Sequence, residues 1–117
     1  MCGHTQSNLK NFCETTLRSL WSTDTFDQWL FLDAGTEFGH AFHTHITNNA
    51  ILVQDGKRSA RDIGKLCVYE IQLHVRKNPN YTLDTILECA NQYILNLFAT
   101  NAVQEKKVMH ANYSYFF

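Results

Sequence analysis

A single proline, Pro79, breaks the chain, and only five glycines are spread over its 117 residues. So little of either excludes a collagen-like or linker-type polymer and leaves few forced interruptions in regular structure. Cysteine is present as Cys2, Cys13, Cys67 and Cys89, but no two of these form a C-x-x-C pair. Neither a zinc knuckle nor a thioredoxin-type motif is therefore indicated, and free thiols are expected. Cys13, Cys67 and Cys89 sit among apolar neighbours, where a thiol packs as a small hydrophobe.

Long apolar runs are missing as well. Nothing approaches the roughly 18 apolar residues of a membrane span. MCGHTQSNLK has neither the basic start nor the apolar stretch of a secretory signal. These features lead us to expect a cytoplasmic protein with no membrane partner. Excess charge of one sign is absent too: the net charge is −1, so no bulk field demands a polyanion. The charge is nonetheless uneven. Residues 1–56 carry two basic and six acidic side chains, net −4, and residues 57–117 carry eight and five, net +3. Helix-end preferences account for such a split, and head-to-tail self-association would exploit it.

What is present is material for one core. Apolar residues make up 44% of the chain and aromatics 13%, which suits a single globular domain over 1–117 and argues against disorder. Ser7 offers a helix cap, and Leu9, Phe12, Cys13, Thr16, Leu17, Leu20 and Trp21 recur at three and four, predicting a helix over 8–21. Ser22-Thr23-Asp24 offers a second cap before a short helix over 25–33, with Ala34-Gly35 as its stop. From Glu37 the apolar period changes to two. Phe38, Phe42 and Ile46 alternate with polar or small residues, predicting a strand over 37–47. Asn48-Asn49 would be a hairpin turn, and residues 50–54 the return strand.

Beyond Gly56, Ser59 with Asp62 resembles a capping box. Ile63, Leu66, Cys67, Ile71, His74 and Val75 follow at helical spacing, and Arg76-Lys77 suits a helix end. A helix over 60–77 is predicted, with a strand as the competitor, because Cys67, Tyr69, Ile71, Leu73 and Val75 also alternate. Asn78-Pro79-Asn80 breaks the chain. Thr82 then caps a helix with the broad apolar face Leu83, Ile86, Leu87, Ala90, Tyr93, Ile94, Leu97 and Phe98. The short link makes the two an αα-hairpin. In KVMHANYSYFF, alternate residues Met109, Ala111, Tyr113, Tyr115 and Phe117 predict a last strand. The expected fold class is α+β: two N-terminal helices, a β-hairpin, an αα-hairpin and a C-terminal strand, with the helices on one face of a small antiparallel sheet.

Three features carry candidate chemistry. His43 and His45, two apart on a strand, would share a face about 7 Å apart and could supply two ligands to zinc or another transition metal. His40 would point the other way. A third ligand would come from His4, His74, His110 or Asp55, since a zinc site needs three or four. On a helix, His40 and His43 would pair instead. Second, Lys57, Arg58, Arg61 and Lys65 cluster at a helix start, where exposed N–H groups favour an anion or a phosphate backbone. Third, Tyr113, Tyr115 and Phe117 line an apolar strand that would complete the domain's own sheet or add to a second subunit's edge.

No nucleophile–base pair, paired-acid spacing or phosphate loop stands out. The expectation is a non-catalytic binding or accessory module, acting as a homodimer on a protein or a small apolar ligand and needing no cofactor. The alternatives are a small metal-dependent or His-using enzyme on His43 and His45, and nucleic-acid or phosphate binding through residues 57–65.

Overall fold

A computed structural model describes residues 4–21 and 25–104. Along the chain they form α1 (His4–Trp21), α2 (Phe26–Leu32), α3 (Ala34–Asn48), β1 (Leu52–Val53), α4 (Ala60–Lys77), α5 (Leu83–Ala99) and β2 (Val103–Gln104). The architecture is mainly helical, with one two-stranded antiparallel sheet.

The helices expected over 8–21, 25–33 and 60–77 are α1, α2 and α4, and the Thr82-capped helix is α5. In α1, Leu9, Cys13 and Leu17 lie one turn apart and are buried. Ser7 lies inside this helix, which starts earlier than the expected cap. Ser59 caps α4 as expected, its Oγ accepting the Asp62 N–H at 3.2 Å. Thr82 and Thr85 cap α5 reciprocally: Thr85 N–H donates to Thr82 Oγ1 and Thr82 N–H to Thr85 Oγ1. Such caps satisfy N–H groups that have no partner within the helix. α4 and α5 run antiparallel. Tyr93 donates its hydroxyl to the Ile63 carbonyl at 2.7 Å, and the Cys89 thiol faces the Glu70 carbonyl at 3.6 Å.

The segment 37–47 is not a strand. It lies within α3, whose buried residues are Ala34, Phe38, Gly39, Phe42 and Ile46. Phe38, Phe42 and Ile46 stand four apart, a spacing that is a multiple of two and also close to one helical turn, so both periods fit them. His40 and Thr44 decide the matter: a strand would send them to the apolar face, whereas both are exposed. Ala34-Gly35 accordingly opens a helix instead of stopping one. Asn48-Asn49 ends α3 and is no hairpin turn.

α3 and α5 end in the same way. Ala50 takes a left-handed φ of 52°, and Asn101 one of 61°. Behind them, Ile51 N–H donates to the Ile46 carbonyl and Ala102 N–H to the Leu97 carbonyl. Both are Schellman caps, which close a helix by reversing the chain. Each reversal launches a strand. β1 and β2 then pair with Leu52 opposite Gln104 and Val53 opposite Val103. The return strand expected at 50–54 therefore pairs with the segment after α5. The sheet ties two helix ends together and is no platform for the helices. The strand expected in KVMHANYSYFF lies outside the described residues.

α3 packs on α4, α1 on α5, and α4 on α5. Phe38, Phe42, Leu9, Ile63, Ile86 and Ile94 are almost wholly buried where these helices meet. Burying each such side chain contributes about 1.5–3 kcal/mol. Tyr81, in the α4–α5 link, packs edge-on against Trp21 and hydrogen-bonds the Asp27 carboxylate, joining this end of the hairpin to α1 and α2. Burial, then the Asp27 contact, pushes the Tyr81 phenol up to about 12.

Candidate functional site

The outer face of the α4–α5 hairpin carries a groove of about 1270 Å³. α5 supplies Asp84, Glu88, Cys89, Tyr93 and Leu97. α4 supplies Leu66, Glu70 and His74. Gln54, Asp55 and Arg58 close one end beside Asn101 and Ala102. The pattern follows from helix geometry. Asp84 and Glu88 are one turn apart on α5, as Glu70 and His74 are on α4, so each pair stacks along one edge of its helix. Leu66, Tyr93 and Leu97, turned further inward, form an apolar floor.

The groove is acidic. Among the described residues lining the groove, Asp55, Glu70, Asp84 and Glu88 are accompanied by one arginine, Arg58, and that arginine already reaches Asp55, Nη1 to Oδ2 3.4 Å. Among the described residues no ion pair holds Glu70, Asp84 or Glu88. The Glu88 carboxylate accepts a hydrogen bond from Gln92 at 3.3 Å.

Side chains in the groove with latent reactivity are restrained. Burial, then the neighbouring Glu70, raises the Cys89 thiol, which lowers its thiolate fraction and its reactivity. Burial likewise raises the Tyr93 phenol, whose proton is committed to the Ile63 carbonyl. The Thr85 hydroxyl donates to the Thr82 carbonyl. His74 Nδ1 faces the Asn78 amide at 3.4 Å, while its Nε2 is shut off from solvent with no partner among the described residues.

The sequence-predicted candidates lie elsewhere. His43 and His45 are on α3, where residues two apart diverge by roughly 200° of helix rotation, so the shared face that paired them is lost. His43 is exposed. His45 turns toward α1, stacked on Phe12 at 4.5 Å, with Nε2 2.7 Å from Asn8 Oδ1 and Nδ1 3.4 Å from the Asn49 amide nitrogen. Burial lowers its pKa below the ordinary histidine value. Among the described residues no group of three or more His, Cys, Asp or Glu side chains is placed to hold a metal.

The basic segment is divided. Arg58 is engaged with Asp55. Arg61 and Lys65 lie one turn apart where α4 crosses α3, with Arg61 Nη2 3.4 Å from His40 Nδ1. Both are close to Gly39. Lys57 is in the preceding turn, and the Asp62 N–H at the helix start is taken by Ser59. Tyr113, Tyr115 and Phe117 lie outside the described residues.

Across α4 from the groove is a smaller cleft of about 570 Å³, lined by Phe31, Leu32, Lys65 and Tyr69 among others. Leu32 is 71% exposed and Tyr69 49%, and the Arg76 guanidinium lies 5.0 Å over the Phe31 ring.

Sequence reasoning missed the acidic groove. Its signal was present in the i, i+4 pairs Glu70/His74 and Asp84/Glu88 on the edges of an expected αα-hairpin. The chain matches no protein-family model, and comparison with curated proteins and with solved structures found no similar protein. No described helix is long and apolar enough to cross a membrane.

Proposed function

We propose that the chain is a non-catalytic binding module, and that the α4–α5 groove takes a cationic segment with apolar and aromatic side chains from a partner protein. The observation that carries this reading is a rim on which Glu70, Asp84 and Glu88 have no ion-pair partner among the described residues, above an apolar floor. Drug-sized ligands fill about 300–1,000 Å³, and a groove of about 1270 Å³ has room for a peptide. Lysine or arginine side chains meeting Glu70, Asp84 and Glu88 would fix register and speed encounter, while apolar side chains on Leu66 and Leu97 would supply most of the affinity. The restrained Cys89, Tyr93 and Thr85 support binding over covalent chemistry at this site.

The module acts as a homodimer in this reading. The surface around Phe31, Leu32 and Tyr69 supports it: exposed aromatic and aliphatic side chains grouped on one face mark contact surfaces.

Selection from a displayed library of random peptides on the immobilised full chain tests the groove. Enrichment of sequences combining Lys or Arg with aromatics is expected. Loss of their binding to the Glu70→Lys, Glu88→Lys double variant should follow. Enrichment of acidic peptides, or binding indifferent to the double substitution, would overturn the reading. Light scattering tests the dimer, with Leu32→Asp expected to shift the mass to that of a monomer. A wild-type chain that is monomeric at micromolar concentrations would contradict it.

A further inference from the structure

We propose that the segment taken by the α4–α5 groove is an amphipathic α-helix of a partner protein, its basic residues gathered at one end, laid along the outer face of the hairpin. This rests on reading the groove as a peptide site, and it specifies the form and the charge pattern of the partner.

The groove repeats with the helical turn. Asp84, Glu88, Gln92 and Asn96 follow one another at four-residue steps along one rim, and all are exposed. Cys89, Tyr93 and Leu97 keep the same step inside them. Four residues of helix advance roughly 6 Å, so polar rim and apolar floor recur together at that interval. A partner helix presents its own i, i+4 side chains at the same interval and stays in step. A strand repeats one face about every 6.6–6.8 Å and drifts about 2 Å over three repeats.

Backbone chemistry favours the same occupant. The long walls of the groove are helices, whose N–H and C=O groups are used within them. The sheet has two residues in each strand, and its flanking residues Gln54 and Ala102 reach one end of the groove. An extended segment would lay its own N–H and C=O groups over Leu66, Tyr93 and Leu97 with no ladder to join among the described residues. A helix satisfies these groups internally, as helices seated in apolar grooves do.

Charge complementarity sets the pattern. α4 and α5 run antiparallel, and the Glu70 carbonyl lies 3.6 Å from the Cys89 thiol. Glu70 therefore shares the half of the groove nearest the α4–α5 link with Asp84 and Glu88. The other half is lined by Asn96, Thr100 and Asn101, and by Asp55, which Arg58 already pairs. Lysines or arginines within about two turns at one end of the partner helix meet all three carboxylates. The same residues spread along the helix do not. From Asp84 to Thr100 the rim spans roughly 24 Å, which matches a helix of about 16 residues.

Fluorescence anisotropy with the full chain and synthetic peptides of about 16 residues is the test. All share one composition of Leu, Phe, Ala, Gln and Lys. In the first, apolar residues recur every three and four positions and the lysines fall in two adjoining turns at one end. In the second, the apolar residues alternate. The third keeps the helical spacing and spreads the lysines evenly. The first should bind at least about tenfold more tightly than the second, since one further apolar side chain seated on the floor gives that factor. It should bind about threefold more tightly than the third, because contacts at an exposed rim contribute less. The Glu70→Lys, Glu88→Lys chain should lose the first peptide.

The outcomes separate failure here from failure of the groove reading. Equal or tighter binding of the alternating peptide, lost in the double variant, would overturn the helical occupant while leaving the groove a peptide site. Equal binding of the first and third peptides would overturn the charge pattern. Displacement of the first peptide as the concentration of the chain itself rises would assign the groove to a second copy and overturn the proposal. No binding by any of the peptides, or binding indifferent to the double variant, would remove the groove reading and this inference together.

Discussion

Gly64 of α4 lies so close to Gly39 of α3 that a Cβ on Gly64 would stand 3.0 Å from the Gly39 Cα and 2.7 Å from the Phe42 Cβ. A Cβ on Gly39 would in turn come within 2.9 Å of the Arg61 carbonyl. Two helices meet here backbone to backbone, which permits the extensive α3–α4 contact and sets the position of α4, one wall of the groove.

Gly64→Ala should therefore destabilise the fold. Its new methyl meets Cα and Cβ atoms, which cannot swing aside as a side-chain tip would. Overpacking of this kind costs about 1–3 kcal/mol, against a gain of about 1 kcal/mol from replacing glycine within a helix. Gly35 provides the control, since a Cβ there meets nothing within 4 Å. Gly35→Ala should be neutral or stabilising by up to about 1 kcal/mol. Urea midpoints measure both, and a Gly64→Ala midpoint at or above wild type would refute the close crossing.

How much of this was legible in the sequence depends on which signals were redundant. α4 had a cap at Ser59, basic residues at its end and a fitting length, so its alternative reading as a strand failed on three counts. The stretch over α3 had one signal, an apolar period of two, and Phe38, Phe42 and Ile46 satisfy helix and strand alike. That single misreading produced the β-hairpin and placed His43 beside His45. The glycine crossing leaves no local pattern, because Gly39 and Gly64 matter only through each other. The groove was half legible: its carboxylates were visible as one-turn pairs, but which faces of α4 and α5 stay uncovered is set by α1 and α3.

Ala50 closes α3 with a left-handed φ of 52°, a conformation that costs a residue with a Cβ roughly 1 kcal/mol. Ala50→Gly should remove most of that strain and raise stability by about 0.5–1 kcal/mol. Chemical denaturation of the variant provides the comparison. A loss of stability would mean that Ala50 is not in the left-handed region.

His45 predicts a pH dependence. Burial lowers its pKa in the folded state, so the folded chain holds fewer protons than the unfolded one as pH falls through about 6.5, the unperturbed value. The stability contributed by the neutral ring is full above that pH and is lost below it. Asn8, Phe12 and Asn49 contact the ring, and none of them carries a negative charge to pair with an imidazolium. Wild type should lose more stability than His45→Gln between pH 7.5 and about 5.5. Parallel pH profiles for the two chains would contradict this.

The thiols should react in order of burial. Cys13 and Cys67 are both buried, and the contact with Cys13, then burial, holds the Cys67 pKa well above its usual value. Cys89 is half-buried at the groove. Among the three described thiols, alkylation of the native chain followed by peptide mapping should modify Cys89 first, and Cys13 and Cys67 only at the rate of unfolding. Modification of Cys67 as fast as Cys89 would show that α1 and α4 do not enclose it.

The central claim is that the α4–α5 groove receives a cationic, aromatic-containing segment. Mapping amide chemical shifts of the full chain during titration with a library-selected peptide tests it most directly. Perturbations concentrated on Glu70, His74, Glu88, Tyr93 and Leu97 are predicted. Perturbations centred on Phe31, Leu32 and Tyr69 across α4, with the groove unmoved, would contradict it.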